Sequence, residues 1–107
     1  MDAGVLKFIQ SCIRRRRIHW TYHVNMRLRN RFISREAVLL SVGSYELIEE
    51  YPKDKYFPSC LVYAEYDGDP IHIHVAIDQA GDRVIIVTVY RPSRDKWEED
   101  LRTRRNQ

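Results

Sequence analysis

At 107 residues, 44% hydrophobic and 31% charged, the chain has material for one hydrophobic core and too little for two, and four glycines and four prolines leave no low-complexity stretch. No apolar run approaches the roughly 20 residues that span a bilayer, and the N-terminus lacks the order of a signal peptide, so one cytoplasmic domain over residues 1–107, without membrane attachment, is expected. The net charge of +3 hides an asymmetry: residues 1–31 carry eight Lys or Arg against one acid, residues 32–101 carry seven against fourteen, and three arginines follow, which points to a polyanion or an acidic partner.

Val5, Leu6, Ile9, Cys12 and Ile13 recur at helical spacing, predicting a first helix over residues 3–16, closed by the run Arg14, Arg15, Arg16, Arg17 at its negative end. Thr21 can cap a second helix, with Trp20, Val24, Leu28 and Phe32 as an apolar stripe beside a polar one of His23, Arg27 and Arg31. Ser34 can cap a third, with Glu36 in its first turn, Val38, Leu39 and Val42 inward and Gly43 at its end.

The pattern then turns to β. A strand is expected over 45–50, a polar loop through Pro52 and Pro58, a strand over 60–66, a tight turn at 67–70, and two strands over 71–78 and 83–90 joined as a hairpin. Trp97 and Leu101, four apart in a charged segment, predict a terminal helix over 94–105. The fold class is therefore α+β: N-terminal helices packed on one face of an antiparallel sheet of three to four strands, with a short C-terminal helix.

Alternation along the hairpin places Ile71, Ile73, Val75 and Ile77 on one face and His72 and His74 on the other, and separates Ile85, Val87 and Val89 from Ile86, Thr88 and Tyr90. One face can pack under the helices while the other presents His72, His74, Thr88 and Tyr90. The His23, Arg27 and Arg31 stripe is a second constellation. Guanidinium forks match phosphate oxygens and an imidazole can move protons near neutral pH, so together they could hold and cleave RNA. The plainer alternatives are strand histidines bonded across the sheet and arginines paired with Glu36, Glu49 or Glu50.

Two histidines two apart on a strand could also share a zinc ion, with His23 or Asp69 as a third ligand, but no established metal motif is present, and no metal or cofactor is expected. Cys12 and Cys60 belong to no Cys-x-x-Cys pair and read as reduced, buried residues.

The stretch His23-x-x-x-Arg27-x-x-x-Arg31-Phe32-Ile33-Ser34, then Asp67-Gly68-Asp69-Pro70-Ile71-His72, then Val87-Thr88-Val89-Tyr90-x-Pro92 with Trp97, resembles a bacterial domain-of-unknown-function family of small proteins, over residues 19–98. Its members look similar to the RelE-like and colicin-like ribonuclease superfamily and tend to be encoded beside zinc-finger antitoxins of the MqsA type. The resemblance implies a microbial-ribonuclease-like fold and metal-free RNA cleavage, with His72 and His23 as acid and base and Arg27 and Arg31 as phosphate clamps. Tyr90 and Thr88 join them on the presented face, while Arg14 to Arg17 and His74 would contact substrate.

The leading expectation is thus a toxin-like, metal-independent endoribonuclease of a toxin–antitoxin pair, with RNA and an antitoxin protein as partners. One alternative is a non-catalytic module that holds nucleic acid or an acidic protein on its basic helices. Another is a structural protein whose exposed hairpin edge pairs with a second copy to form a homodimer.

Overall fold

The computed structural model describes residues 4–106. In chain order it contains α1 (Gly4–Arg14), β1 (Ile18–Trp20), α2 (Tyr22–Asn30), α3 (Arg35–Leu40), a 3-10 turn (Val42–Ser44), β2 (Glu46–Tyr51), β3 (Ser59–Tyr66), β4 (Asp69–Asp78) and β5 (Arg83–Tyr90). The strands form one five-stranded sheet ordered β1-β5-β4-β3-β2. It is mixed, because β1 runs parallel to β5 while the other pairs are antiparallel. No helix among the described residues is long and apolar enough to cross a membrane.

The helices form where their sequence signals lie. The side chains of Thr21 and Ser34 accept from the amides of Val24 and Ala37, satisfying first-turn donors of α2 and α3. α1 and α2 end alike: Arg17 N–H reaches the Cys12 carbonyl and Arg16 N–H that of Ile13, just as Ile33 reaches Leu28 and Phe32 reaches Arg29. Both are Schellman closures, and the left-handed residue that each requires is Arg16 (φ 62°) or Phe32 (φ 54°) where glycine is usual. Between β3 and β4, Asp67 and Gly68 both take positive φ, as a two-residue hairpin turn demands.

The helices cover one sheet face. Ile9, Cys12 and Ile13 of α1, Val24 and Leu28 of α2 and Ala37 and Val38 of α3 are buried against Cys60, Val62, Ile71, Ile73, Val75, Val84, Ile86 and Val89 in one core. A bulge falls between His74 and Val75, which pair with Thr88 and Ile86, leaving Val87 as the extra residue. It shifts the alternation of β5 by one. Ile86 and Val89 therefore both reach the core, although strict alternation put Ile86 with Thr88 and Tyr90.

Four expectations about the fold are corrected. The sheet has five strands in mixed orientation, not three to four antiparallel ones, because Ile18–Trp20 pairs with Val84–Ile86. A strand thus separates α1 from α2, so Trp20 leaves the predicted α2 stripe, and Phe32 leaves it too, standing 89% exposed. The hairpin also has no free edge, since β1 and β3 flank it.

Finally, no C-terminal helix forms among the described residues. Residues 93–105 make a strap of turns and bends, tied by a single bridge between Trp97 and Arg104, across the sheet face opposite the helices. Leu101 has φ 58°, which breaks helical geometry, and Trp97 and Leu101 are spent on the sheet: the first on the His72 ring, the second through its carbonyl to that imidazole.

Candidate functional site

At the end of β5, the C-terminus of α2 and the strap enclose a cleft of about 340 Å³ lined by Arg31, Tyr90, Arg91, Ser93, Lys96, Trp97 and Arg104. Each cation is placed by a local cause. Arg31, the C-cap of α2, donates from Nη1 to the Val89 carbonyl (2.7 Å) and Thr88 Oγ1 (3.2 Å), clamping the helix end to β5 beyond the reach of β1. Arg91 donates to Asp69 (2.8 Å) and to the Arg31 and Phe32 carbonyls (2.7 and 3.2 Å). Arg104 lies over the Trp97 ring at 4.6 Å and forms a two-pronged bond to Glu49, with both distances 2.9 Å.

Asp69 and Glu49 balance Arg91 and Arg104, whereas Arg31 is engaged only with neutral acceptors and Lys96 has no side-chain partner among the described residues. Two positive charges are left over. The cleft therefore carries an excess of positive charge, and its guanidiniums and ammonium are of the kind that suits phosphate oxygens.

Beneath this cleft His72 is fully buried. Its Nε2 lies 2.6 Å from the Leu101 carbonyl and its Nδ1 3.1 Å from Tyr90 Oη. A carbonyl only accepts, so Nε2 carries the proton and the bare Nδ1 accepts from the tyrosine hydroxyl. Trp97 stands edge-on to the imidazole at 4.5 Å, with Tyr63 at 6.1 Å. Burial pushes the His72 pKa below its ordinary 6.5, although the Leu101 carbonyl opposes the shift, and burial likewise raises that of Tyr90. The pair rests as neutral imidazole and neutral phenol. Glu49 is held below the usual carboxylate range by its bond to Arg104.

Of the residues singled out in the sequence, the structure brings Arg31, His72, Thr88 and Tyr90 together. His23 and Arg27 stay on the exposed side of α2. His23 lies eight residues, about 12 Å of helix, from Arg31, and its ring contact is with Tyr22. His74 is half-buried; its Nε2 donates to Ser59 Oγ (2.9 Å), which in turn donates to Asp54 (2.6 Å), and burial lowers its pKa. It links β4, β3 and the β2–β3 loop. Among the described residues no three His, Cys, Asp or Glu side chains cluster as metal ligands.

The arginine run is largely structural. Arg15 binds both Asp82 oxygens (2.6 and 2.8 Å) and Arg17 donates to the Gly81 and Asp82 carbonyls, fastening the end of α1 to the β4–β5 turn, while Arg16 donates back to the Ile13 carbonyl of α1 itself. Arg14 is exposed.

Sequence reading missed Arg91, Lys96 and Arg104 as members of the cleft. The one available signal was Arg91 directly after Tyr90; the other two arrive through the strap, whose course no local pattern announces.

Residues 20–91 match the family described as Domain of unknown function (DUF4258), and the chain belongs to it. Arg31, His72, Tyr90 and Arg91 fall inside the match, while α1 and the strap lie outside. No curated protein and no solved structure matches the chain.

Proposed function

We propose that this chain is a toxin-like endoribonuclease that cleaves cytoplasmic RNA without a metal and is restrained by an antitoxin protein, as its resemblance to RelE-like ribonucleases beside MqsA-type antitoxins suggests. The observation that carries the reading is the convergence of Arg31, Arg91, Lys96 and Arg104 around Tyr90, whose hydroxyl is bonded to a buried neutral imidazole. The cations receive the phosphodiester and stabilise the charge that grows on its oxygens.

The ribose 2′-hydroxyl attacks phosphorus, giving its proton to Tyr90 Oη as the tyrosine passes its own to His72 Nδ1. The bond from phosphorus to the 5′-oxygen breaks, and the leaving oxygen takes a proton from the Lys96 ammonium. The products are a cyclic phosphate and a 5′-hydroxyl. Tyr90 and Lys96 are the catalytic residues of this scheme, and His72 acts through Tyr90. An antitoxin that laid acidic side chains into the same cleft would block it.

The test is cleavage of a mixed-sequence RNA by purified protein in EDTA. Fragments with cyclic-phosphate ends are expected; intact RNA at protein excess would overturn the reading. One observation favours a second reading, a nucleic-acid-binding module: both ring nitrogens of His72 are engaged and the ring is covered, so no imidazole reaches a bound phosphate directly. Binding without cleavage is the outcome that would establish it.

A further inference from the structure

Phe32 is an unusual residue to find where it stands. It is the left-handed closing residue of α2, at φ 54°, a position whose geometry costs a bulky side chain energy that glycine would not incur. Its side chain recovers none of this by burial, being 89% exposed. Burial in the core therefore does not account for an aromatic ring there.

Its surroundings supply a reason. Phe32 lines a cavity of about 270 Å³ together with Ile33, Ser34, Ala37, Tyr66, Ile71, Asp67 and Asp69. Arg91 lines both this cavity and the basic cleft, and it holds the Phe32 carbonyl at 3.2 Å and that of Arg31 at 2.7 Å. A slot lined by an exposed aromatic residue and two aspartates thus adjoins the phosphate site across one side chain.

We infer that Phe32 is a stacking platform for a nucleobase of single-stranded RNA, and that the cavity beside it receives the base of a nucleotide whose phosphate lies in the Arg31–Lys96 cleft. The inference rests on the proposed function for the neighbouring phosphate. Every base offers a π-face, so stacking on Phe32 tolerates any sequence, while Asp67, which has no ion pair with Arg91 as Asp69 has, favours bases that present N–H donors. The strain at Phe32 is retained because a glycine would remove the platform.

The experiment measures binding of a 2′-O-methyl RNA oligonucleotide, which cannot be cleaved, to the wild type, Phe32→Gly, Phe32→Tyr and Lys96→Ala, together with the urea unfolding of each protein. Phe32→Gly should be at least as stable as the wild type and yet bind about 5- to 150-fold more weakly, with Phe32→Tyr restoring affinity. A merely structural residue would not move stability and affinity in opposite directions.

If Lys96→Ala weakens binding and Phe32→Gly does not, the platform is overturned while the phosphate site survives. If Phe32→Gly alone weakens binding, the platform stands and the phosphate site falls. A Phe32→Gly protein less stable than the wild type would overturn the argument that the ring is kept for binding.

Discussion

Trp97→Ala should destabilise the protein by about 3–5 kcal/mol, the usual cost of removing a buried aromatic, out of a total near 5–15 kcal/mol for a domain of this size. Three interactions converge on that side chain: the edge-on contact with His72 at 4.5 Å, the Arg104 guanidinium over its face at 4.6 Å, and the bridge to Arg104 that closes the strap. Its loss opens the face of the sheet as well as a cavity. Without the indole, water reaches His72, and the burial that depresses its pKa is relieved. Urea unfolding gives the energy, and the His72 ring resonances followed against pH should show the pKa move back toward 6.5. A loss below about 1 kcal/mol, typical of surface positions, would mean that the strap is an ornament on a self-sufficient sheet.

Tyr90→Phe should lower the cleavage rate by about 10²- to 10⁴-fold, the usual contribution of a positioned proton-transfer group, and cost about 1–3 kcal/mol of stability, because buried Nδ1 of His72 loses its donor. The substitution keeps the ring beside His72 and on the wall of the cleft, and deletes the hydroxyl bonded to Nδ1. The pH profile carries the sign of the argument. His72 can take the tyrosine proton only while Nδ1 is bare, and burial holds its pKa below 6.5, so activity should persist through pH 6.5 and fall only under it. Stability follows the same direction. The neutral buried imidazole contributes fully above 6.5, and the contribution is lost as pH falls through the lower folded value. A rate unchanged in Tyr90→Phe, or an acid limb at or above 6.5, would remove the relay from the mechanism.

Much of this architecture was legible where the signals are local. Thr21 and Ser34 announced their helices because a capping oxygen acts on an amide three residues away. The β4–β5 hairpin was written in its alternation, which put His72, Thr88 and Tyr90 on one face with His74, while Arg31 was read in a separate stripe with His23 and Arg27. What escaped was set by distant partners. Three residues are too few for a period, so β1 is a strand only because β5 offers it an edge. The helical spacing of Trp97 and Leu101 was overridden by a histidine far back in the chain, and the bulge at Val87 reversed a parity that no composition reveals. The arginine run drew attention by its density, yet Asp82 and two carbonyls of one turn occupy two of its four members. The working charge of the cleft is instead dispersed over α2, β5 and the strap.

The most direct test of the central claim, that this cleft holds a phosphodiester, is the salt dependence of binding an uncleavable single-stranded RNA to the wild type and Lys96→Ala. Removing one phosphate-binding cation should flatten the plot of log affinity against log salt by about 0.7. Parallel slopes for the two proteins would contradict the claim and place the anion elsewhere.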